Sequence, residues 1–559
     1  MQQLLLEGES LTVEFKSDRG PLSDDELVDA VVCMANGDGG VLLLGVEDDG
    51  QVTGLHRTHQ TSPEMLAGFL ASRTVPPVSV GVDFQPFSSA KSDHIVAILT
   101  IPSSSQVVAT SDGRTRIRYL DSQGQPGCRP LYPNEWFSWQ SGRGQVDVTA
   151  QPLRLASWED LDPLEFVRLR RMIEEFRGDA TLLQLSDLEL ARALGLITGE
   201  EEDIYPTFAG LLLVGREQAL RQHLPAHEVA FQVLHGDDVM VNDFHHWPLL
   251  RIVERLLEAF EVRNEERELT KGLFRIGIPA YDPRAFRESV NNALVHRDYR
   301  LLGAVHVQLR SDRIIVNNPG GFVAGVRPNN LLSIGPRRRN PRLADCFKRI
   351  GLVERTGRGV NIIFRGQLRN GRRPPSYAAS TEAAVSLTLY GGPADLDFVQ
   401  LIVNEENELN RSLTVSELLI LDYVRREREL NTHAAAELIQ RPEPEARTVL
   451  ETLVETGLLE RRGATRSRIY LLSATVYREL GQPSAYVRTR GFDRLQMEQM
   501  IDQYVRAHGR ITRSDVIELC RVSEWQASYL LRKLVEADVL TLVGMGRYAY
   551  YISAETKNN

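Results

Sequence analysis

Two groups of side chains in this sequence have the types and spacing of chemistry. The first lies in Arg287-Glu288-Ser289-Val290-Asn291-Asn292-Ala293-Leu294-Val295-His296-Arg297-Asp298-Tyr299. Glu288 and Asn292 stand at i and i+4, so on a helix they share a face and can address one site. A carboxylate there can orient water, and an amide oxygen can ligate Mg²⁺ beside phosphates. Downstream, Asn317-Asn318-Pro319-Gly320-Gly321 allows close backbone approach. Thr356-Gly357-Arg358-Gly359-Val360 then opens a predicted helix, whose free N–H groups can receive phosphate. The second group is acidic. Glu14 lies on an alternating stretch with Glu9 near its entrance, and Glu47 and Asp48 lie just past a second apolar run. If those strands adjoin, the carboxylates converge, and a divalent metal is the usual reason to tolerate their repulsion. Lys16 shares the strand face of Glu14 by period-two geometry.

The elements that must position these groups can be read from periodicity. Residues 1–145 predict a mixed α/β domain. It has strands over 11–15, 41–46, 94–101 and 115–119, and a helix over 24–35 that ends at the turn Asn36-Gly37-Asp38-Gly39-Gly40. A loose stretch near 140–155 predicts a linker. Residues 150–265 predict a helical and mixed connector, with strands at 211–214 and 229–233 and an amphipathic helix over 248–263. Residues 266–395 predict a second α/β domain: a helix over 283–296, strands over 305–310 and 313–316, the Gly/Pro/Asn loop, an Arg-rich stretch and a closing strand at 385–389. Two further segments, 410–478 and 488–555, repeat one order of elements, three helices followed by a two-stranded hairpin. That order is the pattern of a winged helix-turn-helix. The expected nucleic-acid contacts there are Arg447, Arg461 and Arg462 in the first module, and Gln526, Arg532, Lys533 and Arg547 in the second.

The chain has 559 residues, 42% hydrophobic and 25% charged, which argues against wholesale disorder. No apolar run reaches the roughly 18 residues of a membrane span. Cys33, Cys128, Cys346 and Cys520 lie far apart with no CxxC, which predicts neither a disulfide framework nor a zinc knuckle, and a cytoplasmic protein. The net charge of −10 would speak against a nucleic-acid partner if it were uniform. It is not: residues 159–203 hold 13 acidic against 5 basic side chains, whereas 336–373 hold 12 basic against 2 acidic. Charge per segment therefore leaves nucleic acid open as a partner.

The 275–390 segment resembles the Bergerat-type (GHKL) ATP-binding fold, in the variant found in bacterial transcriptional regulators with an ATP-binding half. The shared strings are Asn292–Tyr299 (NALVHRDY), Asn318–Gly321 (NPGG), Arg338–Pro341 (RRNP) and Gly357–Gly359 (GRG). The resemblance implies Glu288 as catalytic base of an ATPase, Asn292 as Mg²⁺ ligand, and Gly321, Gly357 and Gly359 lining ATP. His296, Arg297, Gly320 and Arg338 become candidate nucleotide contacts. Asn317 stands where the family's adenine-reading Asp would be, with Pro319 in place of the first Gly of that box. Residues 1–140 resemble the Schlafen-type AlbA domain, through Glu9–Lys16 (ExxxxEFK), the Ala35–Gly40 turn and Gly45–Asp48. In the nuclease members three acids cut RNA with a divalent metal. Here they would be Glu9, Glu14 and Glu47, with Asp48 as a substitute and Mg²⁺ or Mn²⁺ as the ion; position 47 is Glu where those nucleases use Asp.

Together these features predict an α+β multidomain protein: an AlbA-like domain, a GHKL-like sandwich and two winged helices. The expected function is that of an ATP-binding, nucleic-acid-binding regulator, with DNA favoured over RNA and a homodimer or higher oligomer as the assembly. The alternatives are a metal-dependent nuclease gated by ATP, and a protein-binding scaffold with a vestigial nucleotide site.

Overall fold

The structure is a computed structural model. It describes the chain apart from residues 90–91, 122–124, 144–145, 201–202, 237, 272–273, 354–358, 464–467, 481–493, 521, 523, 545–548 and 555–559. The protein is of mixed α+β class and divides into two units, 1–367 with 374–392, and 368–373 with 393–559.

The first unit begins with a four-stranded sheet in the order Val13–Lys16, Gly40–Leu44, Ser92–Ile101, Gly81–Ser89. The first two strands are parallel, so a crossover must join them. Helix Asp24–Asn36 supplies it. Ser23 caps that helix by accepting from the Glu26 N–H, and Asp24, Asp25 and Glu26 complement its dipole. Leu27, Val31 and Met34 on the helix pack with Leu42, Leu44, Ala97 and Leu99 on one face of the sheet. Val13, Phe15, Leu43 and Val96 form a smaller core on the other face, as period-two alternation requires. The helix ends on Asn36, which is fully buried. Its amide donates to the carbonyls of Val108 (2.7 Å) and Arg116 (2.8 Å) and accepts from Val108 N (2.8 Å). Asn36 thus acts as a bracket for otherwise unpaired backbone.

The second sheet has five strands in the order Asp238–His245, Val229–His235, Val305–Leu309, Arg313–Pro319, Ala384–Tyr390. It crosses the boundary expected at 265/266. Val229–His235 pairs in parallel with Val305–Leu309, and helices Leu249–Glu261 and Pro283–His296 lie between them in the chain. One hydrophobic cluster runs from Ala156 to Leu389. Residues 150–265 are therefore joined by sheet and core to the following segment rather than standing apart as a connector.

Three local expectations are corrected. Leu211-Leu212-Leu213-Val214 lies in helix Phe208–Val214, capped by the Thr207 side chain. The run is buried on every side, so periodicity could not tell helix from strand. The expected linker contains the turn Val148–Ala150, where Asp147 Oδ2 accepts from Arg342 N (2.6 Å) and Thr149 Oγ1 from Leu343 N (3.3 Å). Those bonds satisfy orphan donors at the start of helix Pro341–Ile350. Cys33 and Cys128, read as unpaired, are joined by a disulfide with their Cα atoms 6.1 Å apart. Strand Pro126–Pro130 brings Cys128 back across 95 residues of sequence, a proximity that only tertiary packing creates. Among the described residues no helix is long and apolar enough to cross a membrane.

The second unit repeats itself. Helices Val415–Glu427, Thr432–Ile439 and Glu443–Glu455 precede strands Leu459–Arg462 and Ile469–Leu472, with Leu430–Asn431 as the third strand of a small sheet. Helices Arg494–His508, Arg513–Cys520 and Glu524–Glu536 precede strands Leu540–Val543 and Tyr550–Ser553, and Ile511 bridges Tyr551 where a third strand would sit.

One buried histidine in the first unit makes the fold acid-sensitive. His227 Nε2 donates to the Trp247 carbonyl (2.8 Å), and its Nδ1 has no hydrogen-bond partner among the described residues. Burial pushes its pKa down to about 4, below the roughly 6.5 of an unfolded chain. Its neutral form thus contributes stability that is complete above pH ~6.5 and lost as pH falls towards 4, up to about 3 kcal/mol. Urea titrations at pH 7.5 and 4.5 check this. The loss between the two values should be smaller by about that amount in His227→Gln than in the unaltered protein.

Candidate functional site

Helix Pro283–His296 starts under Asp282, whose carboxylate accepts from Ala285 N (2.8 Å), with Pro283 in its first turn. Phe286, Val290 and Leu294 bury one stripe in the large core, and Phe286 stacks on Phe260 with ring centroids 4.0 Å apart. That anchoring sets Glu288 and Asn292 side by side. Asn292 Nδ2 donates to Glu288 Oε1 (3.2 Å), and Glu288 is buried. Gly359, the first described residue of helix Gly359–Arg369, lies against the same carboxylate, so closely that a methyl group at 359 would overlap it. A carboxylate, an amide and the first described turn of that helix thus lie close together. A helix N-terminus at this point would carry partial positive charge and N–H groups able to receive an anion. The Asn292 oxygen is left for a hard cation, and the carboxylate can hold water for attack. Gly357 lies outside the described residues.

The segment after Asn292 is a knot of buried charge. Asp298 is almost fully buried. It accepts from Arg300 Nε (3.0 Å) and Nη2 (2.8 Å) and from Arg339 Nη1 (3.3 Å), while its N–H donates to the Pro319 carbonyl (3.0 Å). Burial opposes its charge, but the Arg300 and Arg339 guanidiniums prevail and hold the carboxyl below its usual range. Arg339 also donates to the Gly321 carbonyl (2.7 Å), and Gly320, at φ 96°, leaves no room for a Cβ beside Asp298. Asn340 Nδ2 donates to the Val295 and Arg297 carbonyls, both at 2.8 Å.

Of the expected nucleotide contacts, Arg297 is spent on backbone. It is wholly buried and donates to the carbonyls of Ala226, Leu301 and Gly303. Such a guanidinium orders the chain around it rather than meeting a ligand. His296 is kept neutral at ordinary pH: burial, with Arg339 and Arg338 alongside, lowers its pKa to about 4. Arg338 is exposed. On strand Arg313–Pro319 the buried face carries Ile314, Val316 and Asn318. Asn317 alternates away from it, so the polar residue on the helix-facing side is Asn318 rather than Asn317.

In the N-terminal domain Glu9 and Glu14 come together. Glu9 Oε1 accepts from Phe15 N (2.8 Å), and burial, then the Glu14 charge, raises its carboxyl pKa against the pull of that bond. Glu14 is paired with Lys16 Nζ (2.6 Å) and with Arg118. Arg118 also donates to the carbonyls of Ser10 (2.9 Å) and Val13 (3.1 Å). Glu47 is held elsewhere, by the hydroxyls of Ser17 (2.8 Å) and Thr53 (2.7 Å), and Asp48 is exposed. Among the described residues no group of three His, Cys, Asp or Glu is arranged to hold a metal ion, so Glu9, Glu14 and Glu47 do not converge. Arg118, absent from the sequence reading, takes the place of the expected cation. Its only signal was a position on an alternating strand, which reads equally as solvent-facing.

In the second unit the hairpin arginines are largely engaged. Arg461 and Arg468 both pair with Glu451 of helix Glu443–Glu455, at 3.2 Å each, and Tyr470 donates to the same carboxylate (3.0 Å). Arg462 and Gln526 also have partners. Lys533 pairs with Glu498 at 3.4 Å, whereas Arg447 and Arg532 are exposed. Arg547 lies outside the described residues.

Comparison with known families identifies two of the chain's domains. The chain contains a Schlafen AlbA_2 domain, matched over residues 9–126. It also contains a domain of the family described as "Putative ATP-dependent DNA helicase recG C-terminal", matched over 303–389. The second match begins after helix Pro283–His296, so the pairing of Glu288 with Asn292 rests on geometry alone. A domain of unknown function, DUF8451, matches 140–230. No curated protein sequence matches the chain. Among solved structures, the DIP2311 protein from Corynebacterium diphtheriae is 23% identical, with 99% of this chain and 98% of that one covered and a TM-score of 0.49.

The knot around Asp298 should dominate local stability. Removing its carboxylate in Asp298→Ala leaves buried guanidiniums uncompensated, at a cost of about 3–5 kcal/mol. Arg337→Ala, at an exposed position of the same Arg-rich stretch, should change stability by no more than about 0.5 kcal/mol. Denaturant midpoints of the two variants check the contrast.

Proposed function

We propose that this protein binds ATP with Mg²⁺ where Glu288, Asn292 and the start of helix Gly359–Arg369 meet, and that occupancy controls its contact with nucleic acid. The observation that carries the first half is the contact of Gly359 with the Glu288 carboxylate beside Asn292. A triphosphate entering there brings negative charge to a helix N-terminus and a cation to two oxygen ligands. Asn292 would hold the Mg²⁺, and Glu288 would position water if the nucleotide is cleaved.

The second half rests on how the loop after Gly320-Gly321 touches the AlbA domain. Arg327 pairs with Asp38 of the Asn36–Gly40 turn (2.5 Å), and Ala324 N donates to the Gly142 carbonyl (3.0 Å). Leu120 N donates to Glu382 (3.3 Å), and the Arg300 guanidinium lies 4.8 Å from the Phe137 ring. Arg300 is itself a partner of Asp298, so the nucleotide side and the AlbA side share side chains. In this reading the repeated modules of the second unit are winged helices. Each offers one exposed arginine on its third helix, Arg447 and Arg532, while Glu451 holds the hairpin arginines Arg461 and Arg468 of the first.

A nuclease reading has one observation in its favour, the adjacent Glu9 and Glu14. A metal would have to draw Glu14 away from Arg118 and Lys16. Incubation with structured RNA and Mn²⁺ decides this: cleavage lost in Glu14→Ala would establish the nuclease, and no cleavage leaves the binding role.

Asn292→Ala should weaken Mg²⁺–ATP binding at least tenfold by calorimetry, since it removes a direct metal ligand. Arg327→Ala should leave ATP affinity unchanged and abolish the effect of ATP on affinity for duplex DNA. A native protein that binds no ATP, or whose DNA affinity is the same with and without it, would sink the proposal.

A further inference from the structure

The five-stranded sheet has two edges, and they are finished differently. At one, strand Ala384–Tyr390 is closed off: Ser376 N donates to the Thr388 carbonyl (3.0 Å) and Thr388 N to the Ser376 carbonyl (2.8 Å). At the other, strand Asp238–His245 pairs with Val229–His235 on its inner side, and among the described residues nothing pairs with its outer side. A row of unpaired N–H and C=O groups is a template for a further strand, and proteins commonly blunt it with Lys, Pro or a covering loop. This edge, Asp238-Val239-Met240-Val241-Asn242-Asp243-Phe244-His245, has neither Lys nor Pro. It has a bulge: Val241 lies opposite Val233 and Val239 opposite Leu234, so Met240 is the extra residue. The extra residue breaks the alternation and adds apolar surface instead of hiding it. Val239, Met240 and Phe244 are 54%, 69% and 45% exposed. Asn242, which accepts from Gln232 Nε2 (2.7 Å), and Phe244, whose ring meets His306 edge-on at 6.1 Å, lie on the sheet face turned away from the large core.

We propose that this edge joins two copies of the chain, as antiparallel strands about a two-fold axis through Asn242. A two-fold contact sets residue i against j and j against i. Residues directly opposite on antiparallel strands share a face, so with period-two alternation the axis must pass through a residue and not between two. Three centres keep the apolar residues in the contact. About Val241, Met240 meets Asn242 and Asp238 meets Phe244, apolar against polar each time. About Asp243, two carboxylates stand directly opposite, which is destabilising. About Asn242, Met240 meets Phe244 on both sides of the axis, and Asp243 falls opposite Val241, so the acids stay apart. The two Asn242 carboxamides then face each other, and each offers a donor and an acceptor to its copy. One register thus matches apolar with apolar and amide with amide. The strand is its own complement, which favours a second copy over an unrelated partner.

Light scattering on the full chain tests the assembly. The native protein should have twice the mass of one chain, and Phe244→Lys, which sets a cation against Met240 at both ends of the contact, should halve it. A native monomer, or a Phe244→Lys protein that stays dimeric, overturns the proposal. Cross-linking tests the register without relying on that variant. In Asn242→Cys each thiol faces its own copy, so a mild disulfide oxidant should join two chains, the thiols giving up two electrons and two protons to it. Cys346 and Cys520 are buried and do not compete. Asp243→Cys, one residue away, faces Val241 and should join chains far more slowly. If Asn242→Cys cross-links no faster than Asp243→Cys, the two-fold pairing is wrong. The outcome is independent of whether the chain binds ATP.

Discussion

A carboxylate taken out of water is costly unless cations and hydrogen bonds replace the solvent, and Asp298 has both from three directions. Arg300 binds it from two residues away, Arg339 from the Arg-rich stretch, and its own N–H holds the end of strand Arg313–Pro319. Removing any partner exposes the others. The helix bearing Glu288 and Asn292, the Gly320-Gly321 loop and the Arg338–Asn340 segment are therefore positioned together or not at all. The bookkeeping of charge also matters. Asp298 faces two guanidiniums, and Arg297 is buried next to it without a carboxylate of its own, its pKa lowered by burial. Backbone carbonyls of Ala226, Leu301 and Gly303 take the place of a carboxylate for Arg297, and His296 adds no further charge because it stays neutral.

The same principle runs the other way in the remaining modules. Glu14 is satisfied by Lys16 and Arg118, and Glu451 by Arg461, Arg468 and Tyr470. In both places the charge expected to face a metal or a phosphate backbone is already matched within the fold. Glu9 is the exception: it has one backbone donor and sits beside a like charge, which leaves its carboxyl pKa raised.

Much of this was legible in sequence where the signal was local. The helix carrying Glu288 and Asn292, the strand bearing Glu14, the turn at Asn36 and the order of elements in the second unit all follow from periodicity and turn residues. Long-range pairing was not. Nothing in 229–245 announces that those residues join a sheet with 305–390, because parallel neighbours are set by crossovers rather than by adjacent sequence. Arg297 and Arg118 look like surface arginines, yet their guanidiniums serve buried carbonyls, a role decided by loops that arrive from Ala226 and Ser10. The choice between Asn317 and Asn318 needed the strand's facing, which a one-residue shift reverses.

What a nucleotide could change is bounded by what it would touch. A ligand shifts an equilibrium only by its difference in affinity for the two states. A triphosphate at Gly359 would compete with the Glu288 carboxylate for the backbone N–H groups there unless a cation joined the two. Arg339 holds Gly321 through its carbonyl, and six residues on, Arg327 holds Asp38 of the AlbA domain. A path from phosphate to AlbA turn would thus be two guanidiniums and one short loop, all within the first unit. Any coupling must pass through the loop's two attachments. An anion that draws Arg339 from Gly321 loosens the first, and the second, a single ion pair at the domain contact, is the one that can break without unfolding either core.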